Sequence, residues 1–127
     1  MKLLNIFLVV TLIGLFALFS GCEPRDPAIL KVFVRSSTNQ LMNGAKVIVI
    51  GDQQSNPPTQ DFVDTSYTNS SGFAVIDMDQ YFDQYRDGNE NTTGYFDLIV
   101  KHNNKTAYGY TRCRIHTTSV ETVYLPN

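Results

Sequence analysis

ILKVFVRSSTNQLMNGAKVIVI, Ile29 to Ile50, carries the clearest strand signals in the chain. At its start Leu30, Val32 and Val34 alternate with Lys31, Phe33 and Arg35, the period-two pattern of a strand with one buried face. Asn43-Gly44 then supplies turn chemistry, because both residues tolerate positive φ, and Ala45 to Ile50 resumes as a β-branched strand. No helical period competes, so the unit is read as β.

Beyond it, Gly51 to Gln60 is polar with Pro57-Pro58 and reads as a loop. Phe62 to Thr68 is a third strand, Asn69-Ser70-Ser71-Gly72 a turn, and Phe73 to Met78 a fourth strand with Ala74, Ile76 and Met78 inward. Asp79 is placed to cap a short helical turn through Tyr85, with Tyr81, Phe82 and Tyr85 on one side. Asp87 to Gly94 returns to loop. Tyr95 to His102 is a strand with Phe96, Leu98 and Val100 on one face, and Asn103-Asn104-Lys105 is a tight hairpin connection. Thr106 to Ile115 and Val120 to Leu125 complete the set. About seven short strands separated by turn signals predict an all-β, two-sheet Greek-key sandwich of Ig-like architecture.

Ahead of this unit, Lys2 is followed by an apolar run, Leu3 to Phe19, broken only by Asn5, Thr11 and Gly14, and then by small Ser20 and Gly21. These are the parts of an export signal. The run falls slightly short of a comfortable bilayer span, and polar Glu23-Pro24-Arg25-Asp26-Pro27 follows at once. Phe19-Ser20-Gly21-Cys22 resembles the lipobox of a bacterial lipoprotein, in a relaxed form similar to that of the Bacteroidetes-like group, with Phe19 where Leu is usual. The resemblance implies a signal peptide over residues 1–21, acyl chains on Cys22 and a tether over residues 22–28. It also implies a domain over 29–127 held at the bacterial cell envelope, with the outer membrane expected. Several chains at about 0.8 kcal/mol per buried methylene anchor stably where one is marginal. Ordinary secretory cleavage and an uncleaved anchor helix are the alternatives.

Cys22 and Cys113 are the only cysteines. Lipidation of Cys22 leaves Cys113 alone, whereas ordinary secretion favours a Cys22 to Cys113 disulfide, so the two readings exclude each other. Removing Lys2 from the ten basic residues leaves nine against twelve acidic, a formal charge of minus three on the exported part. No basic face for nucleic acid is expected, nor a polybasic cluster for a membrane surface.

Asn43-Gly44-Ala45-Lys46-Val47 followed by Thr68-Asn69-Ser70-Ser71-Gly72-Phe73-Ala74 resembles the prealbumin-like sandwich of carboxypeptidase regulatory-like and collagen-adhesin B-type domains. The resemblance implies the fold from about Ile29 to Leu125 and leaves the role open, since such sandwiches host many. The hydroxyisourate hydrolases of the transthyretin-like branch carry a first-strand histidine and a Tyr-Arg-Gly-Ser tail. Here Lys31 and Arg35 stand in that strand and the chain reads Tyr124-Leu125-Pro126-Asn127, so that activity is not expected. A lysine–asparagine crosslink, found in some collagen-adhesin B-type domains, would cast Lys31 and Asn127. Asn127 falls outside the final strand, and the crosslink is not expected either.

The soft ligands and nucleophiles are His102, Cys113 and His116. On a strand the spacing of Cys113 and His116 directs them to opposite faces, wrong for joint chemistry. Asp83, Asp87, Gly88 and Asn89 imitate part of a calcium loop, but Tyr85 and Gly94 fall where oxygen ligands are needed. No metal and no cofactor is expected.

Seven Tyr and eight Phe without Trp supply aromatic surface, and Tyr108, Tyr110 and Tyr124 are the candidates for partner contact. Tyr81, Tyr85 and Tyr95 belong to the same supply. The absence of Trp counts against a dedicated glycan platform. The expectation is a non-catalytic, lipid-anchored envelope module with an envelope protein or glycan as partner. A glycan- or peptide-binding surface module and a small envelope enzyme are the alternatives. Asn69-Ser70-Ser71, Asn91-Thr92-Thr93 and Asn104-Lys105-Thr106 are sequons that matter only in a eukaryotic secretory route.

Overall fold

A computed structural model describes the backbone of residues 1–19, 25–85 and 92–127, and the side chains of the same residues except 16–19. The helix α1 (Lys2–Phe19) leads, with its described side chains exposed. Thr11 Oγ1 donates back to the Phe7 carbonyl at 2.7 Å, which satisfies that hydroxyl within an apolar helix. Among the described residues no helix is long and apolar enough to cross a membrane.

The alternation of the sequence is what builds the core. In β1 (Ile29–Arg35) Leu30, Val32 and Val34 are buried, and in β2 (Lys46–Gly51) Val47 and Val49 are. The short β3 (Val63–Tyr67) is followed by β4 (Phe73–Asp77), which buries Ala74 and Ile76, with Met78 buried just beyond it. After α2 (Asp79–Tyr85), β5 (Thr93–His102) buries Phe96, Leu98 and Val100. The last strands are β6 (Lys105–Arg114) and β7 (Thr118–Tyr124). Each fully buried Val, Leu or Phe contributes roughly 1.5–3 kcal/mol relative to exposure.

Two sheets result, a three-stranded one ordered β4-β1-β7 and a four-stranded one ordered β3-β2-β5-β6. The chain crosses between them at β1 to β2, β3 to β4, β4 to β5 and β6 to β7, which is the Greek-key sandwich expected from the sequence. Only β2–β3 and β5–β6 are sequential neighbours, and β7 lies parallel to β1. The β5–β6 hairpin turns on two residues, Asn103 at φ 47° and Asn104 at φ 64°, while Lys105 already pairs with His102. Positive φ at both centres matches the right-handed twist of the flanking strands.

The strands give the sandwich two ends. At the tether end lie residues 25–28, the loop 52–62, α2 and the turn 115–117; at the far end lie 36–45, 68–72, 103–104 and 125–127. Tyr81 and Phe82 plug the tether end, with the Tyr81 ring edge-on to Phe96 at 5.1 Å and to Phe82 at 5.2 Å. Tyr81 Oη accepts from the Gln60 amide at 3.1 Å, and Tyr85 Oη donates to the Asp61 carbonyl at 2.7 Å, so α2 also holds the loop. The aromatic spacing read in Asp79–Tyr85 is therefore correct, but the role of Asp79 is not. Asp77 Oδ1 accepts the Asp79 amide at 3.0 Å, and Asp79 Oδ1 reaches out of the helix to accept the Ala28 amide at 3.0 Å. Asp79 thus pins the start of the domain instead of capping α2.

At the far end the two stretches NGAKV and TNSSGFA are bonded to each other. Gly44 N–H donates to the Thr68 carbonyl at 3.0 Å and Thr68 N–H to the Ala45 carbonyl at 2.9 Å. Thr68 Oγ1 accepts from the Ala45 amide at 2.8 Å and donates to the Met42 carbonyl at 2.6 Å. Gly72, at φ 79°, closes over Leu41, where a Cβ would come within 2.6 Å of the Leu41 Cβ. The two motifs form one clasp joining the β1–β2 and β3–β4 connections.

Candidate recognition surface

The outer face of the four-stranded sheet is set by register. One cross-strand row runs Thr65, Ile48, Ile99, Tyr108, and the next runs Val63, Ile50, Asp97, Tyr110. Tyr108 is 75% exposed and Val63 63% exposed, so aromatic and aliphatic carbon faces solvent on the two edge strands, with Ile48, Ile50 and Ile99 half-buried between them. Tyr110 stacks on Tyr95, ring centroids 6.3 Å apart and 21° between planes. Its hydroxyl donates to Asp52 Oδ2 at 2.7 Å, and that bond, with desolvation and the Asp52 charge, pushes the phenol up to about 12. Tyr110 is consequently fixed in position, while Tyr108 stands free of any hydrogen-bond partner among the described residues.

Tyr124 does not join them. It pairs with Arg35 in the three-stranded sheet and points out from the opposite side of the sandwich. Sequence distance alone does not reveal this, because the crossing from β6 to β7 changes sheets. Tyr81 and Tyr85 are packing residues of the tether end. Cys22, the lipidation candidate, and Asp87 to Asn89 of the calcium-like loop lie outside the described residues.

The three soft side chains are kept apart. Cys113 points into the core as a buried free thiol, and burial pushes it up to about 11 against the opposing hydrogen bond from Ser119. His116 sits beyond β6 in a turn at φ 59°, not on a strand. Its Nδ1 donates to the Asp26 carbonyl at 2.8 Å, a tautomer required because a carbonyl only accepts. His102 lies at the far end, with Asn103 Nδ2 3.3 Å from its Nε2. Among the described residues no group of three metal-ligating side chains assembles. Lys31 and Asn127 are also separated: Lys31 Nζ sits 4.8 Å over the Phe73 ring, whereas Asn127 accepts a hydrogen bond from Ser37 beyond the end of β1.

A feature that sequence reasoning missed lies at the far end of the same face. An open depression of about 430 Å³ is lined by Gly44, Lys46 and residues 101–106, including Lys101 and Lys105. Lys101 and Lys105 flank one hairpin, and that spacing is the only signal of the feature in the sequence. Lys46 joins them only through the β2–β5 register, in which it faces Lys101.

These observations define an all-β two-sheet sandwich with an exposed aromatic sheet face. No protein-family model matches the chain, and no curated protein sequence does. Among solved structures, the Bacillus anthracis TIE protein is similar with TM-score 0.52 at 12% identity, over 80% of this chain and 17% of that one. Chlorocatechol 1,2-dioxygenase from Pseudomonas putida aligns with 84% of this chain and 62% of its own, at 13% identity and TM-score 0.47. The likeness to the first supports the sandwich fold alone, and this chain spans only a small part of that protein's length.

Proposed function

We propose that this chain is a bacterial envelope lipoprotein, anchored through acylated Cys22, whose sandwich is a non-catalytic interaction module. The observation that carries the reading is the outer face of the four-stranded sheet, where exposed Tyr108, Tyr110 and Val63 are held in adjacent rows by strand pairing. Tyrosine gives contact area at little conformational cost, and Tyr110 is already immobilised by Asp52 and Tyr95. A small envelope enzyme draws no support from Cys113, whose thiol is enclosed and held protonated.

The anchor reading rests on Phe19-Ser20-Gly21-Cys22. Asp26 and Ala28 are fastened by His116 and Asp79, and Ile29 N–H donates to the Thr117 carbonyl at 3.0 Å. With Cys22 acylated, the tether end would face the membrane and the far end would face away from it. Mass spectrometry of the mature amino terminus is expected to find diacylglyceryl and acyl chains on Cys22; an unmodified or disulfide-bonded Cys22 refutes the anchor. Affinity capture from membranes is expected to lose its partner with Tyr108→Ala and Tyr110→Ala and to keep it with Tyr124→Ala. Equal behaviour of all three variants refutes the assignment of the face.

A further inference from the structure

We propose that the far end of the four-stranded sheet binds an acidic glycan, a sugar polymer carrying carboxylate or phosphate groups. The inference rests on the reading of that sheet face as the recognition surface and adds the chemistry of its ligand.

Lys46 and Lys101 are direct cross-strand partners, an arrangement of like charges that destabilises a sheet. Their outer neighbours do nothing to relieve it: Lys46 pairs on its other side with Tyr67, and Lys101 with Thr106. Lys105, paired with His102 one place beyond that row, borders the same depression, and among the described residues no Asp or Glu lines it. In a protein of net negative charge this is a local concentration of positive charge that an external anion would neutralise. Lysines suit scattered acidic substituents, since an ammonium on a flexible stem is a point charge and not a planar fork.

The surroundings specify a sugar and not a bare ion. Asn103, Asn104 and Thr106 line the depression with amide and hydroxyl groups able to meet sugar hydroxyls. Tyr67, 62% exposed, stands beside Lys46, and Tyr108 occupies the next row, so aromatic rings flank the charges and can take the apolar face of a pyranose. The depression is open, which fits a polymer lying across the sheet. Lipid headgroups of the anchoring leaflet are a poor match, because the site lies a strand's length, roughly 20 Å, from the tether end.

The test uses the full chain in a nonionic polyoxyethylene detergent, titrated calorimetrically with oligogalacturonate and with a phosphomannan oligosaccharide, which separate carboxylate from phosphate. Maltopentaose, inorganic phosphate, phosphatidylglycerol vesicles and an oligodeoxythymidine serve as comparisons. Binding is expected for at least one acidic oligosaccharide, weakened about tenfold or more by 0.5 M salt and by the combined Lys46→Gln, Lys101→Gln, Lys105→Gln variant. That variant is expected to melt no lower than the parent, because it removes a repulsion. Binding of neither acidic oligosaccharide above maltopentaose overturns the proposal, as does equal or tighter binding of phosphate, vesicles or oligodeoxythymidine. If Tyr108→Ala abolishes partner capture while the lysine variant changes nothing, the charge inference fails and the surface reading stands; if neither matters, both fail.

Discussion

Replacing Thr68 by Val tests whether the far-end clasp depends on one hydroxyl. Thr68 is 4% exposed, and Val reproduces its shape while removing Oγ1. The change deprives the Ala45 amide of its acceptor at 2.8 Å and the Met42 carbonyl of its donor at 2.6 Å. Ala45 is fully buried, so its N–H has no water to turn to; a buried donor left in that state costs about 1–3 kcal/mol. The Met42 carbonyl is half-buried and recovers part of its loss from solvent. The sum is about 2–3 kcal/mol, a fall in Tm of roughly 10–20 °C for a domain of this size. Thr68→Ser keeps both bonds and deletes one methyl, for about 1 kcal/mol. Urea and thermal unfolding of both variants decide the matter. A valine variant within about 0.5 kcal/mol of the parent, or a serine variant as damaged as the valine one, refutes the reasoning.

Gly44 and Gly72 share nearly the same φ, 78° and 79°, but a Cβ meets nothing at Gly44 and meets Leu41 at Gly72. Gly44→Ala should cost about 1 kcal/mol and Gly72→Ala at least about 1 kcal/mol more, with partial rescue by Leu41→Ala; equal costs in denaturant titration contradict this. Cys113 titrates near 11 in the fold against an ordinary 9, so the unfolded thiol ionises first. Its contribution is complete below pH 9 and is lost as pH rises through 11, and Cys113→Ala should flatten that part of the urea-midpoint profile. A profile that keeps its slope in the alanine variant assigns the loss elsewhere. Phe82→Ala empties the plug at the tether end and should cost about 3–5 kcal/mol by the same unfolding measurements, with a loss under about 1 kcal/mol excluding the plug.

The strands were legible because each core strand buries alternate residues, and Leu30, Val32, Val34, Phe96, Leu98 and Val100 obey that rule without exception. Residue pattern alone extends β3 from Phe62 through Thr68. In the structure Phe62 packs into the aromatic plug, edge-on to Tyr81 at 5.5 Å, and Thr68 belongs to the clasp. What periodicity does not encode is which sheet a strand joins. The parallel pairing of β7 with β1 moves Tyr124 to the face opposite Tyr108, and the register of β2 with β5 brings Lys46 to Lys101. Asp79 misled for a related reason, since a helix-initial carboxylate looks like a cap until the Ala28 amide arrives from residues far upstream. Both motif stretches were visible, but their mutual hydrogen bonds through Thr68 follow only from the fold.

The fastening of Asp26 by His116 has a consequence for how many copies act together. From Cys22 to Asp26 there are four residue steps, at most about 14 Å of chain. With Cys22 acylated as proposed, so short a leash leaves the sandwich no freedom to turn over, and neighbouring copies in one membrane present the same end outward. A polymer with repeated acidic groups would then meet many identical, co-oriented sites at once. Linked binding of that kind raises avidity by about 10²–10⁴ without any new contact, so a single sandwich needs only weak affinity for the membrane as a whole to hold its ligand firmly.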